Sequence, residues 1–255
     1  MRADAVALVV FLGVLCRHCD GVRAQVTVVR EPVFTLDARA IVGANRVIAR
    51  TRFHRQGSSV LPHELAVIAA RRGAVAVATY EHFLADRLRA FRRHAAQLGV
   101  RDDDVGDARA LFVQAAFKVR GAQGFADPAA ALQAPGLWGE GAIAGMARAS
   151  SSFARLQFTL RLKYVMGSNR RFAALSDAGK QRLYDFYALA AQLLLDAAAA
   201  AARTGDAHEI RYVRRQAEQQ LHADLGVDPS RVRFTPFGIE IDPAGGRGGS
   251  AARRV

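Results

Sequence analysis

Residues 153–166 read FARLQFTLRLKYVM. Leu156, Phe158, Leu160, Leu162 and Tyr164 alternate with Gln157, Thr159, Arg161 and Lys163, the period-2 pattern of a half-buried strand. The same stretch also sets Phe153, Leu156, Leu160 and Tyr164 on one face of a helix. A strand here would need a pairing partner, and the flanking segments offer none. The strand reading would place a sheet at the centre of the chain; the helix reading makes the chain all-α. The neighbouring segments favour the helix.

On the N-terminal side, Val77, Tyr80, Leu84, Leu88, Phe91, Ala95 and Leu98 recur at spacings of three and four, with Gly99 placed to end the helix. This predicts an amphipathic helix over Ala74–Leu98. Asp102, Asp103 and Asp104 suit the positive end of the next helix, whose apolar stripe is Val105, Ala108, Phe112, Ala115 and Val119 up to Gly121. A shorter helix is expected over His63–Arg72, with Pro62 in its first turn. On the C-terminal side, Ser176-Asp177 caps a helix through Leu183, Phe186, Tyr187, Ala190, Leu194 and the Ala197–Ala202 run. Gly205 ends it. Asp206 caps a last helix striped by Ile210, Val213, Ala217, Leu221 and Leu225, which Gly226 ends. Arg231–Ile241 reads as a short strand or an extended segment, Gly121–Gly141 as a loop holding Trp138, and Ala142–Ser150 as helix.

The expected architecture is an all-α, bundle-like helical domain over residues 61–241. An extended N-terminal arm (25–60) precedes it and a disordered tail (242–255) follows. Residues 1–24 have the three-part form of a secretory signal peptide. Arg2 supplies charge, Ala5 to Leu15 is apolar, and Val22-Arg23-Ala24 offers a cleavage site between Ala24 and Gln25. Cys16 and Cys19 fall inside that leader, so a chain cleaved there carries no cysteine and its net charge passes from +13 to +12. The chain is 255 residues long and 51% apolar, enough for a sizeable core. Its apolar runs fall short of the roughly 18–20 residues of a membrane span, so no transmembrane helix is expected in the mature chain. Of 36 basic residues only Lys118, Lys163 and Lys180 are lysines; this arginine excess accompanies 51 alanines, a bias common to GC-rich genomes. The positive charge is therefore weaker evidence for nucleic-acid binding than its size suggests.

Chemical motifs fail on inspection. His63-Glu64 opens like a helical zinc motif, but the second histidine position holds Val67. Counted from Asp102 as a calcium loop, position six is Asp107 and position twelve Val113, where glycine and glutamate belong. Ser150–Ser152 lacks a nucleophile frame, and Asp185 and Glu209 fall on the polar sides of their helices. No catalytic residue, metal ligand or cofactor is assigned. Arg89, Arg92, Arg93, Arg211, Arg214 and Arg215 form two arginine-rich helix faces, candidates for anion binding, although a solvated face explains most such runs.

Three blocks stand in order along the chain. They are Leu98-Gly99-Val100 with Asp103, Asp104, Val105 and Asp107-Ala108; Leu175-Ser176-Asp177 with Lys180-Gln181 and the alanine-rich helix; and Leu225-Gly226-Val227-Asp228 with Phe234-Thr235 and Phe237-Gly238. Together, over residues 75–241, they resemble a family of exported bacterial proteins known as a domain of unknown function. The resemblance implies a mostly helical domain behind a signal peptide and carries no catalytic residues with it. The expected function is an exported, periplasmic or extracellular, non-catalytic protein that binds or organises a component of the bacterial cell envelope. The alternatives are an electrostatic binder of polyanions, nucleic acid or anionic glycans, and an enzyme with an unrecognised site.

Overall fold

The computed structural model describes residues 38–71, 76–121, 156, 158–226, 228–229, 232–235 and 238–241. Among them are eight helices: α1 (Ala38–Ala49), α2 (Leu61–Ala70), α3 (Val77–Gln97), α4 (Val105–Arg120), α5 (158–168), α6 (Arg170–Ala173), α7 (Asp177–Thr204) and α8 (Ala207–Leu225). A hairpin follows, β1 (Val232–Thr235) with β2 (Gly238–Ile241), antiparallel and in the register Val232 opposite Ile241. The chain is an all-α domain with this short strand pair at its C-terminal end. The proposed leader, Trp138 and its loop, helix 142–150 and the tail lie outside the described residues.

The helix ends follow from local chemistry. The Ser176 hydroxyl accepts from the Gly179 amide, and the Asp206 carboxylate from the His208 amide at 2.7 Å. Gly99, Gly205 and Gly226 sit at φ +68°, +65° and +69°, the left-handed turn that ends a helix and that side chains resist.

α4 is the centre of the domain. The sequence marks one apolar stripe on it, but every residue from Val105 to Val119 is buried, including Arg109, Gln114 and Lys118. A stripe model misses this because polar residues are counted as solvent-facing. Here other helices cover those faces, α7 most extensively and α8 next. The α4–α7 contact joins two alanine-rich surfaces. Ala108, Ala115 and Ala116 of α4 and Ala188, Ala191 and Ala198 of α7 are fully buried. Small side chains let the two backbones approach closely, so leucine at Ala190 or Ala197, both buried, should overpack the core and cost about 1–3 kcal/mol. Thermal unfolding checks this, with leucine at the half-buried Ala200 expected to change stability by no more than about 0.5 kcal/mol. By length and composition alone α7 is also apolar enough to span a membrane, beyond what the reading of apolar runs allowed. Most of its apolar stretch lies buried in the bundle, which accounts for that composition.

Residues 158–168 are helical, as the context suggested, but the buried face is the other one. Phe158, Leu162 and Met166 point into the core, while Leu156 (54% exposed) and Tyr164 (40%) point out. Residues 38–49, read as part of an extended arm, form α1. Its apolar positions recur at helical spacing, but no acidic residue stands in its first turn, and the short polar segment that follows masks its period in the sequence. α1 crosses α5 at Gly167, where a Cβ would lie 2.0 Å from the Val47 carbonyl oxygen, so only glycine permits the crossing. The segment after α1 is likewise no free arm: Thr51 and Phe53 are buried.

Candidate functional site

The buried polar side chains gather around α4 and α7. At the N-terminus of α4, the Asp104 carboxylate caps the helix by accepting from the Gly106 amide at 2.9 Å. Residues 51–53 complete this end: the Val105 amide donates to the Thr51 carbonyl and the Phe53 amide to the Asp103 carbonyl, each at 3.0 Å. Lys163 of α5 then places its Nζ 3.0 Å from Asp104 Oδ2 and 2.6 Å from Asp107 Oδ1. It reaches them across Gly106, where a Cβ would stand 2.4 Å from Lys163 Cγ. Two buried carboxylates thus share one ammonium. Burial, and then the charge of Asp104, raises the Asp107 carboxyl above its ordinary value, while Lys163 opposes the shift. Nearby, Arg101 grips Asp103 through two bonds of 2.8 and 2.7 Å, the first cause that lowers the Asp103 carboxyl.

A second cluster centres on Asp185 of α7, only 1% exposed. The sequence places it on a polar helix face; instead Ser59 donates to its Oδ2 at 2.6 Å and Arg92 to its Oδ1 at 2.9 Å. Arg55 stands 4.0 Å away, with its guanidinium over the rings of Phe53 and Tyr184. Burial pushes the Tyr184 phenol well above its ordinary range. The Gln56 amide donates to Gln181 Oε1 at 2.7 Å, so residues 51–59 are clasped onto α4 and α7 along their length.

A third cluster joins α4 to α8. Arg109, 1% exposed, donates from Nε to the Asp224 carboxylate at 3.0 and 3.2 Å and from a terminal nitrogen to its carbonyl at 3.0 Å. The Tyr187 hydroxyl donates to the same carboxylate at 2.9 Å. On the far side of α7, burial raises the Asp196 carboxyl, although Arg87 lies 3.4 Å from it and Gln192 donates to it at 3.0 Å.

These groups bind one another. Asp185 is held by Arg92 and Arg55 and accepts from Ser59, and among the described residues the contacts around that pair include no histidine. His63 meets Glu81 at 2.8 Å on the surface, and among the described residues no group of three or more His, Cys, Asp or Glu is placed to hold a metal ion. The candidate anion-binding arginines divide. Arg92 turns inward to Asp185 and leaves the face assigned to it, while Arg89 pairs with Asp86 of its own helix. Arg93, Arg211 and Arg215 are exposed, and Arg214 is half-buried. Ala24 and Gln25 lie outside the described residues. Sequence reasoning missed Arg55, Ser59, Arg109, Lys163 and Asp224. One signal was available: Arg109 and Lys118 interrupt an otherwise apolar helix, and a charge amid apolar neighbours calls for a buried partner.

The fold and these clusters define an α-helical domain whose interior is locked by ion pairs. Residues 147–242 match a family of unknown function (DUF6683). That stretch contains the second and third sequence blocks, and the first, around Leu98–Ala108, lies outside it. No curated protein and no solved structure matches the chain.

Proposed function

We propose that this protein is exported across the bacterial inner membrane and acts there without catalysis, binding or organising a component of the cell envelope. The observation that carries the non-catalytic part is the commitment of the buried charges. Asp104, Asp107, Asp185 and Asp224 each hold a cation of the same chain, so the interior chemistry is spent on cohesion. The leader-like order of Arg2, the apolar Ala5–Leu15 stretch and Val22-Arg23-Ala24 supports export.

Expression in a bacterial host followed by osmotic-shock fractionation and intact-mass measurement tests the reading. The expected product is periplasmic or secreted and begins at Gln25, as such or as pyroglutamate. Full-length chain confined to the cytosol overturns it.

A further inference from the structure

We infer that α1 and the α5–α6 junction form a basic face that docks onto an anionic phospholipid surface, which takes the envelope reading one step further by naming the component. Two stretches of the chain contain no acidic residue: none lies between Asp37 and Glu64, and none between Glu140 and Asp177. The fold brings these two stretches together. Val47 of α1 meets Gly167 of α5, and Arg50 donates to the Gly167 carbonyl at 3.2 Å. Arg46 precedes that crossing by one residue, and Arg170 and Arg171 follow it by three and four.

Arg46, Arg170 and Arg171 are exposed, and none makes an ion pair with a described residue. Several other exposed cations are paired: Arg101 grips Asp103, Arg89 pairs with Asp86, and Arg182 pairs with Glu64 at 2.7 Å. Arg93, Arg211 and Arg215 make no ion pair with a described residue either, but their helices carry carboxylates of their own, Glu81 and Asp86 on α3 and Glu209, Glu218 and Asp224 on α8, whereas residues 38–49 and 158–176 carry none. Among the described residues no carboxylate pairs with Arg46, Arg170 or Arg171, so the positive potential at the α1–α5 crossing is uncompensated there.

Apolar surface accompanies the charge. Ala44, Val47 and Ile48 of α1 are only half-buried, and Tyr164 of α5 is exposed one turn before the crossing. A basic helix with an incompletely buried apolar face, flanked by an interfacial tyrosine, is the composition that lies in the headgroup layer of an anionic membrane. A nucleic acid would use the arginines and leave the apolar positions without a role.

Co-sedimentation of the full chain with vesicles tests this, using phosphatidylcholine alone and phosphatidylcholine mixed with phosphatidylglycerol. The triple variant R46E/R170E/R171E is compared with R93E/R211E/R215E, which changes net charge equally at exposed arginines of α3 and α8. Wild type should bind the mixed vesicles more tightly, and the affinity should fall with salt. Each arginine near such a surface is worth about fivefold, so the first triple should lose at least about 100-fold, while the second stays within about threefold of wild type. Both variants carry the same N-terminal apolar stretch, so its own affinity for lipid cancels. Should charge reversal lower the melting temperature, R46Q/R170Q/R171Q provides the same comparison with a loss of about 100-fold. Equal losses in the two triples, retention by the first, or tighter binding to duplex DNA than to the mixed vesicles would overturn the proposal. Export can fail while this binding holds, and this binding can fail while export holds, so the two readings are separable.

Discussion

Lys163→Met should destabilise the domain by about 3–5 kcal/mol, because it leaves Asp104 and Asp107 buried without their shared ammonium. Chemical denaturation at neutral pH reads this directly. Asp107→Asn should behave in the opposite way. Burial and the Asp104 charge keep Asp107 protonated to a higher pH in the folded chain than its ordinary 3.8 in the unfolded one. The folded state therefore holds the extra proton through that window, and this group's contribution to stability falls as pH rises across it. Asparagine removes the liability at neutral pH, so Asp107→Asn should be neutral or stabilising and should flatten the pH dependence there. Adding it to Lys163→Met should recover part of the loss. A cost below about 1 kcal/mol for Lys163→Met alone would show that the carboxylates are solvated and the shared pair is unimportant.

Arg109→Met is expected to have a comparable effect, about 3–5 kcal/mol, and for the same reason, an uncompensated carboxylate. Methionine fills much of the volume but takes the guanidinium from the Asp224 carboxylate, which keeps the Tyr187 hydroxyl, and from the Asp224 carbonyl. For a domain of this size the melting temperature should fall by about 6–20 °C. The double variant Arg109→Met, Asp224→Leu should be more stable than Arg109→Met alone, since removing both charges abolishes the uncompensated one. Unchanged melting in Arg109→Met would mean that α4 and α8 are held together by apolar contacts alone.

The helices were legible because their signals are local. Val77 to Leu98 shows its period within 22 residues, and Ser176, Asp206, Gly99, Gly205 and Gly226 mark ends that the structure places where the sequence set them. Burial of α4 on all sides was not legible, because a helix enclosed by neighbours loses the contrast between faces on which periodicity depends. α5 offered apolar residues on two faces, and only packing decides between Leu156 and Phe158. The ion pairs were hidden by distance along the chain. Asp185 draws Arg92 from 93 residues away and Ser59 from 126, and Arg109 draws Asp224 from 115. No spacing rule reaches that far. The unpaired arginines at the α1–α5 crossing belong to the same class, since a sequence shows two acid-free stretches but not that they touch.

The matched stretch, residues 147–242, holds α5 to α8 and the hairpin but leaves out α4. That omission separates two kinds of unit. Leu189, Leu193 and Leu194 of α7 are buried, and the helices chiefly covering α7 are α4 and α3, both outside the stretch. Lys163, Asp185 and Asp224 would each lose the counter-charge that residues 52–109 provide. The matched stretch is thus only part of a cooperative structure in this chain, and a fragment cut to residues 147–242 should fail to fold on its own.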